Sequence, residues 1–230
     1  MLTSIVENLQ NVRERVAEAA QKAGRKPEDI QIIAVTKTVD IPQIEEVIGA
    51  GITAIGENRV QEVMRKYPLL QEKVDWHLIG HLQTNKVKYI IDKVCLIHSV
   101  ESIPLAQEIS KRAGQKGIVM PILVQVNVAE EETKFGLKVE EVIPFIREIA
   151  KLDGLKVEGL MTMAPFVENP EDARPVFREL RILAEKIKQE AIPGVEMKHL
   201  SMGMTNDYQV AVEEGATLIR VGTGIFGKRK

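Results

Sequence analysis

The chain has 230 residues, with 31 lysines and arginines against 33 aspartates and glutamates and a formal charge of −2. That length suits one large domain such as an α/β barrel, and the balanced charge, without long blocks of either sign, excludes nucleic acid and anionic membrane as expected partners. No apolar stretch approaches membrane-spanning length. The single cysteine, Cys95, lies in the apolar run Val94-Cys95-Leu96-Ile97 and is expected to be a buried packing residue. With no possible internal disulfide, a reducing, cytoplasmic setting is expected.

The amino terminus reads as an amphipathic helix, with Glu7, Arg13, Glu14, Arg15 and Glu18 set among apolar residues. Short apolar runs then alternate with helix-period segments to the end of the chain. Strands are predicted at 32–36, 54–56, 76–79, 94–98, 121–126, 156–160, 198–201 and 217–221. Helices are predicted between them at 41–50, 59–67, 84–91, 103–113, 139–152, 171–189 and 206–214. Eight parallel strands joined by right-handed crossovers close into a barrel, which removes both sheet edges. The expected fold is therefore a single-domain (β/α)8 TIM barrel over residues 1–230 with an additional N-terminal helix. An open doubly wound sheet is the alternative, but Lys37-Thr38-Val39-Asp40 stands where its glycine-rich first turn belongs.

Barrels carry their chemistry where strands end and βα loops begin. Lys37 follows the first strand. Apolar walls would strip its ammonium of water, lower its pKa and free an amine to attack a carbonyl; a lysine snorkelling into solvent is the other reading. Strand two leads into Gly56-Glu57-Asn58-Arg59, strand three into Gly80-His81-Leu82-Gln83-Thr84-Asn85-Lys86, and strand five into Asn127 and the segment Lys134-Phe135-Gly136. Ser201-Met202-Gly203-Met204-Thr205 and Arg220-Val221-Gly222-Thr223-Gly224 follow strands seven and eight, the usual place for a phosphate in barrels. The glycines could equally serve tight turns. Arg220, inside an apolar strand, needs an acceptor, either a carboxylate or the ring nitrogen of a bound heterocycle. A Schiff-base lysine, a phosphate cradle and a cation for a ring nitrogen together meet the needs of pyridoxal 5'-phosphate.

Several segments carry a resemblance: Ala34-Val35-Thr36-Lys37, Gly56-Glu57-Asn58-Arg59-Val60-Gln61-Glu62, Trp76 through Lys86, Gly159-Leu160-Met161-Thr162-Met163, Leu200-Ser201-Met202-Gly203-Met204 and Ile219 through Gly227. In this order they resemble the pyridoxal phosphate homeostasis protein family, over nearly the whole chain. The resemblance implies a barrel like the amino-terminal domain of alanine racemases, without their second β domain. It implies that Lys37 holds the cofactor covalently, that Ser201, Gly203, Gly222 and Thr223 hold the phosphate, and that Arg220 faces the pyridine nitrogen, with Asn58 and His81 lining the ring. The implied function is holding pyridoxal phosphate and influencing its supply and the balance of amino and keto acids.

Enzymatic turnover is not expected, and no residue is assigned a catalytic role. An arginine cannot take up a proton, so it disfavours pyridinium and weakens the ring as an electron sink. The three tyrosines, Tyr67, Tyr89 and Tyr208, fall in predicted helices or at their ends, away from the βα loops. The alternatives are a pyridoxal-phosphate-dependent racemase or decarboxylase, and a cofactor-independent aldolase in which Lys37 attacks a sugar phosphate. Expected partners are the cofactor and cofactor-dependent apoenzymes, and a monomer is expected. His77, His81, His98 and His199 lack metal-ligand spacing, so no metal site is expected. Glu130-Glu131-Glu132 reads as a solvated loop. Met161, Met163, Met202 and Met204 flank two strand ends, where thioethers pack either beside a planar ring or in ordinary core. Lys228-Arg229-Lys230 is read as a frayed terminus.

Overall fold

The computed structural model describes residues 4–131 and 134–227, apart from the side chain of Glu72; Glu132 and the tail Lys228-Arg229-Lys230 lie outside the described residues. Helix α1 (Ile5–Lys22) starts with a capping box, in which Ser4 Oγ accepts from the Glu7 N–H and the Glu7 carboxylate accepts from the Ser4 N–H. Its apolar stripe, Leu9, Val12, Val16, Ala19 and Ala20, recurs at helical spacing and is buried.

Eight parallel strands follow: β1 (Gln31–Val35), β2 (Ala54–Glu57), β3 (Asp75–Leu78), β4 (Leu96–Val100), β5 (Met120–Gln125), β6 (Leu155–Met161), β7 (Val195–Met204) and β8 (Leu218–Val221). They close in sequence order, with β1 beside β8 through Gln31↔Leu218 and Ile33↔Arg220. Between them run α2 (Ile41–Gly49), α3 (Val60–Leu70), α4 (Val87–Ile90), α5 (Ile103–Lys116), α6 (Val139–Ile149), α7 (Arg174–Gln189) and α8 (Tyr208–Glu213), and α9 (Thr223–Phe226) follows β8. The expected barrel with its N-terminal helix is the architecture found.

Local differences have local causes. The helices predicted from Thr84 and Glu171 begin as 3-10 turns, Thr84–Lys86 and Pro170–Ala173. In the second case Pro175 sits in the first turn of the α-helix, where its missing N–H costs nothing. Strand β4 starts at Leu96, two residues later than predicted. Cys95 therefore falls in the preceding loop and is exposed rather than buried, with its thiol donating to the Trp76 carbonyl at 3.3 Å. Helix α9 occupies a segment read from sequence as a turn.

Two layers of apolar packing result. The larger lies between strands and helices; the smaller, Ile33, Ala54, Leu96, Leu123, Met161 and Leu218, fills the barrel interior. Toward the C-terminal ends of the strands the buried residues become polar: His77, His98, Gln125, Ser201 and Arg220. That change of character positions the site.

Candidate cofactor site

A cavity of about 360 Å³ opens at the C-terminal end of the barrel, and Lys37, Asn58, Arg220, Gly222 and Thr223 all line it. Three segments distant in sequence thus meet because β2 and β8 flank β1 in the closed sheet. Lys37 follows β1 and is exposed. This differs from the expected amine pressed against apolar walls: Lys37 reaches the cavity from its solvent side, open to an incoming carbonyl. Among the described residues the buried lysine is Lys66, at 0 % exposure.

Arg220 is the deepest charged group of the cavity, at 4 % exposure. Among the described residues it forms no ion pair with a carboxylate. One guanidinium nitrogen donates to Ser201 Oγ and the other to the Thr162 carbonyl at 2.8 Å. Burial lowers its pKa to about 10, partly opposed by the charge of Asp207. Of the two acceptors expected for this arginine, the structural carboxylate is therefore not the one in contact. With five donors on the guanidinium, hydrogen-bonding capacity remains for a group in the cavity.

Behind Arg220 runs a buried chain. Ser201 Oγ contacts His98 Nδ1 at 2.9 Å, and His98 Nε2 contacts His77 Nδ1 at 2.9 Å. Since Ser201 accepts from Arg220, its own proton is free to go to His98 Nδ1; His98 Nε2–H then donates to His77. Each contact of the chain then pairs one donor with one acceptor, all running in one direction. Burial holds both rings neutral, with His77 lowered to about 4 and His98 well below its ordinary value.

The remaining expected residues lie elsewhere. Ser201 is fully buried, and its hydroxyl is committed to Arg220 and His98, so its side chain orients the arginine instead of facing the cavity. Gly203 has φ of +92°, and a Cβ there would lie 2.5 Å from the Ala211 methyl and 2.9 Å from Tyr208 Cα. Its lack of a side chain admits α8 against β7, a packing role. His81 lines an adjoining concavity, stacked on Phe135 with centroids 4.1 Å apart.

The cavity also recruits Thr205, which the sequence reading had placed in the loop after the seventh strand, and Asp207, which it had not singled out. Thr205 Oγ1 accepts from the Gly224 N–H at 3.2 Å and so ties the loop after β7 to the loop after β8. Asp207 accepts from the Met204 N–H at 2.6 Å, and burial raises its carboxyl pKa. The polar run Thr205-Asn206-Asp207 was the available signal, since a carboxylate three residues after a strand end commonly turns the chain. Met163 and Met204 reach the cavity, whereas Met161 and Met202 are buried. Lys134 also lines the cavity.

The arrangement offers an accessible amine, a buried cation without a carboxylate partner and, at Gly222 and Thr223, the start of a short helix tied to the loop after β7. Residues 8–230 match the family described as alanine racemase, N-terminal domain. The pyridoxal phosphate homeostasis protein of Aquifex aeolicus is 47 % identical over 225 residues, covering 97 % of this chain and 98 % of the relative. That of Escherichia coli is 32 % identical over 233 residues, covering 99 % and 98 %. PipY of Synechococcus elongatus, solved with pyridoxal phosphate bound, superposes with a TM-score of 0.84 at 32 % identity, covering 97 % of this chain and all of that one. An alanine racemase of Clostridium difficile shares the fold, with a TM-score of 0.71 at 16 % identity, and this chain spans 57 % of it. Matched in sequence and in structure over nearly its whole length, the chain belongs to the pyridoxal phosphate homeostasis protein family.

Proposed function

We propose that this protein binds pyridoxal 5'-phosphate in the 360 Å³ cavity, joined to Lys37, and serves to hold and supply the cofactor without turning over a substrate of its own. One observation carries the reading: an accessible lysine and a buried arginine lacking a carboxylate partner face the same cavity. A pyridine nitrogen would give Arg220 a further acceptor on its cavity side, and the loops carrying Thr205, Gly222 and Thr223 would receive the phosphate. Met163 and Met204 offer polarizable surfaces to a planar ring. The relatives bear the homeostasis name, and PipY holds the same cofactor.

When bound, pyridoxal phosphate supplies an aldehyde for amine capture and an electron sink. The chain's own residues favour the first use. Arg220 donates and cannot give a proton to the ring nitrogen without losing a charge that two buried hydrogen bonds, to Ser201 Oγ and the Thr162 carbonyl, help to hold. None of Tyr67, Tyr89 and Tyr208 lines the cavity. The single barrel suffices for this role, in a reducing cytoplasm, with apoenzymes that need the cofactor as recipients. Among the described residues no helix is long and apolar enough to cross a membrane.

Spectrophotometric titration with pyridoxal phosphate tests the reading. The wild type is expected to develop the visible band of covalently held cofactor, and Lys37→Ala to lose that band and bind at least about tenfold more weakly, a difference of about 1.4 kcal/mol. An unchanged band in the variant would overturn the assignment. Turnover is read separately, by following solvent deuterium into Cα of amino acids; incorporation is expected no faster than with free cofactor.

A further inference from the structure

A second concavity, of about 510 Å³, adjoins the first and shares Asn58 as a wall. It is formed by the loops after β2 and β3, and its lining is polar: Arg59, Gln61, Glu62, His81, Gln83 and Lys86. The one acidic side chain on the wall, Glu62, is occupied by Arg65 at 3.0 Å and Lys66 at 2.9 Å. Arg59 and Lys86 have no carboxylate partner among the described residues. The concavity therefore presents two uncompensated cations.

Its floor is fixed. Gly80 packs so closely on the preceding loop that a Cβ would lie 2.3 Å from the Asn58 carbonyl oxygen. Ser99 Oγ donates to the Gly80 carbonyl at 2.7 Å and pins the same loop from β4. The polar groups are thus carried on a preorganised frame, the condition under which charged side chains recognise a ligand without a large ordering cost.

His81 adds a direction. Its Nδ1 lies 3.2 Å from Glu101 Oε1, and its ring lies against Phe135 with an interplanar angle of 18°. The other oxygen of Glu101 is buried without a hydrogen-bond partner among the described residues. This carboxylate orients the imidazole as carboxylates do behind proton-handling histidines. With Nδ1–H committed to Glu101, the neutral ring offers Nε2, on its other side, as an acceptor. Cations together with an acceptor are complementary to an anion bearing its own hydrogen-bond donor.

We infer that the concavity bounded by Arg59, His81 and Lys86 is a second binding site, for a small carboxylate with an adjacent N–H or O–H donor, the chemistry of an α-amino acid. Arg59 and Lys86 take the carboxylate, and His81 Nε2 takes the donor. The N–H groups of Val60 and Gln61, at the uncapped start of α3, find no acceptor among the described residues and add to the carboxylate's surroundings. Asn58 lines both concavities, so the occupant lies beside the cofactor cavity.

The test follows backbone amides of 15N-labelled protein at about pH 8. L-alanine, pyruvate and inorganic phosphate are titrated in turn, the last two lacking the alanine donor or its carboxylate. Two forms are used, cofactor-free protein and protein loaded with pyridoxal phosphate and reduced with borohydride, in which the first cavity is blocked. L-alanine is expected to shift Val60, Gln61 and His81 saturably in both forms, more tightly than the other two. Arg59→Gln with Lys86→Gln is expected to weaken it about tenfold or more, and His81→Leu to remove its advantage over pyruvate. Shifts confined to residues 222–224, no saturation, equal binding of phosphate, or indifference to the double variant would each overturn the inference. Failure of the protein to load cofactor would count against the proposed function alone, because the cofactor-free form reads the second concavity by itself.

Discussion

Arg220 shows how much of the site depends on single side chains. Its placement in an apolar strand was legible, because an arginine there must find an acceptor. What it leans on was not, because Ser201, His98 and His77 come from three other strands, and only the closed sheet brings them together. Ser201 looks like a phosphate ligand in a list of strand ends, and its commitment to Arg220 emerges only from geometry. The chain also has an acid signature. His77 is held neutral to about pH 4, while the unfolded chain takes up its proton near the ordinary 6.5. Its contribution to stability is therefore complete above the ordinary value and is lost as pH falls through that window, at roughly 1.4 kcal/mol per pH unit for one proton. His98 acts in the same direction. Buried Glu57 and Asp207, raised by desolvation, act in the opposite one, their contribution present at low pH and lost as pH rises through their raised values. Comparison with His77→Gln isolates the histidine. Urea midpoints are expected to fall less between neutral and acidic pH in the variant than in the wild type; parallel profiles would contradict the account.

At the scale of elements, the eight strands and their helices were readable from period and turn signals, since strands buried on both faces are near-continuous apolar runs. Boundaries moved by a few residues where proline or a 3-10 turn intervened. Hidden from the sequence was the fastening of α3 to the barrel wall. Lys66 Nζ, at 0 % exposure, donates to Glu57 Oε1 and to the Thr36 carbonyl, both at 2.7 Å, and Thr36 Oγ1 donates to the same carboxylate oxygen. Thr36 precedes Lys37, so this cluster supports the backbone from which the proposed anchoring lysine projects. Removing one partner strands the other charge: Lys66→Ala is expected to cost about 3–5 kcal/mol in denaturant unfolding. Replacing both Lys66 and Glu57 by methionine is expected to cost less than the single change, because no uncompensated charge remains. A double variant weaker than the single one would show that the pair itself, and not its desolvation, holds α3 in place.

For the whole molecule, closure of β8 onto β1 is the decisive event, because it places Arg220 beside the strand that ends at Lys37. Helix α1 and the turn after it support that closure from outside, with the Asn8 amide of α1 donating to the Ile225 carbonyl at 3.0 Å and Arg25 of the turn donating to the Val212 carbonyl at 2.9 Å. The order of strands was inferable from right-handed crossovers, and so was the gathering of Lys37, Asn58, Arg220, Gly222 and Thr223 around one cavity. The division of the mouth into two concavities was not, because it depends on how the loops after β2 and β3 pack around Gly80, and His81 was accordingly expected beside the cofactor ring. The central claim is that this architecture aims a single lysine at the cofactor. Borohydride reduction of the protein saturated with pyridoxal phosphate, followed by peptide mass mapping, measures this directly. The account predicts a pyridoxyl group on Lys37; label on another lysine such as Lys134, or no label after saturation, would contradict it.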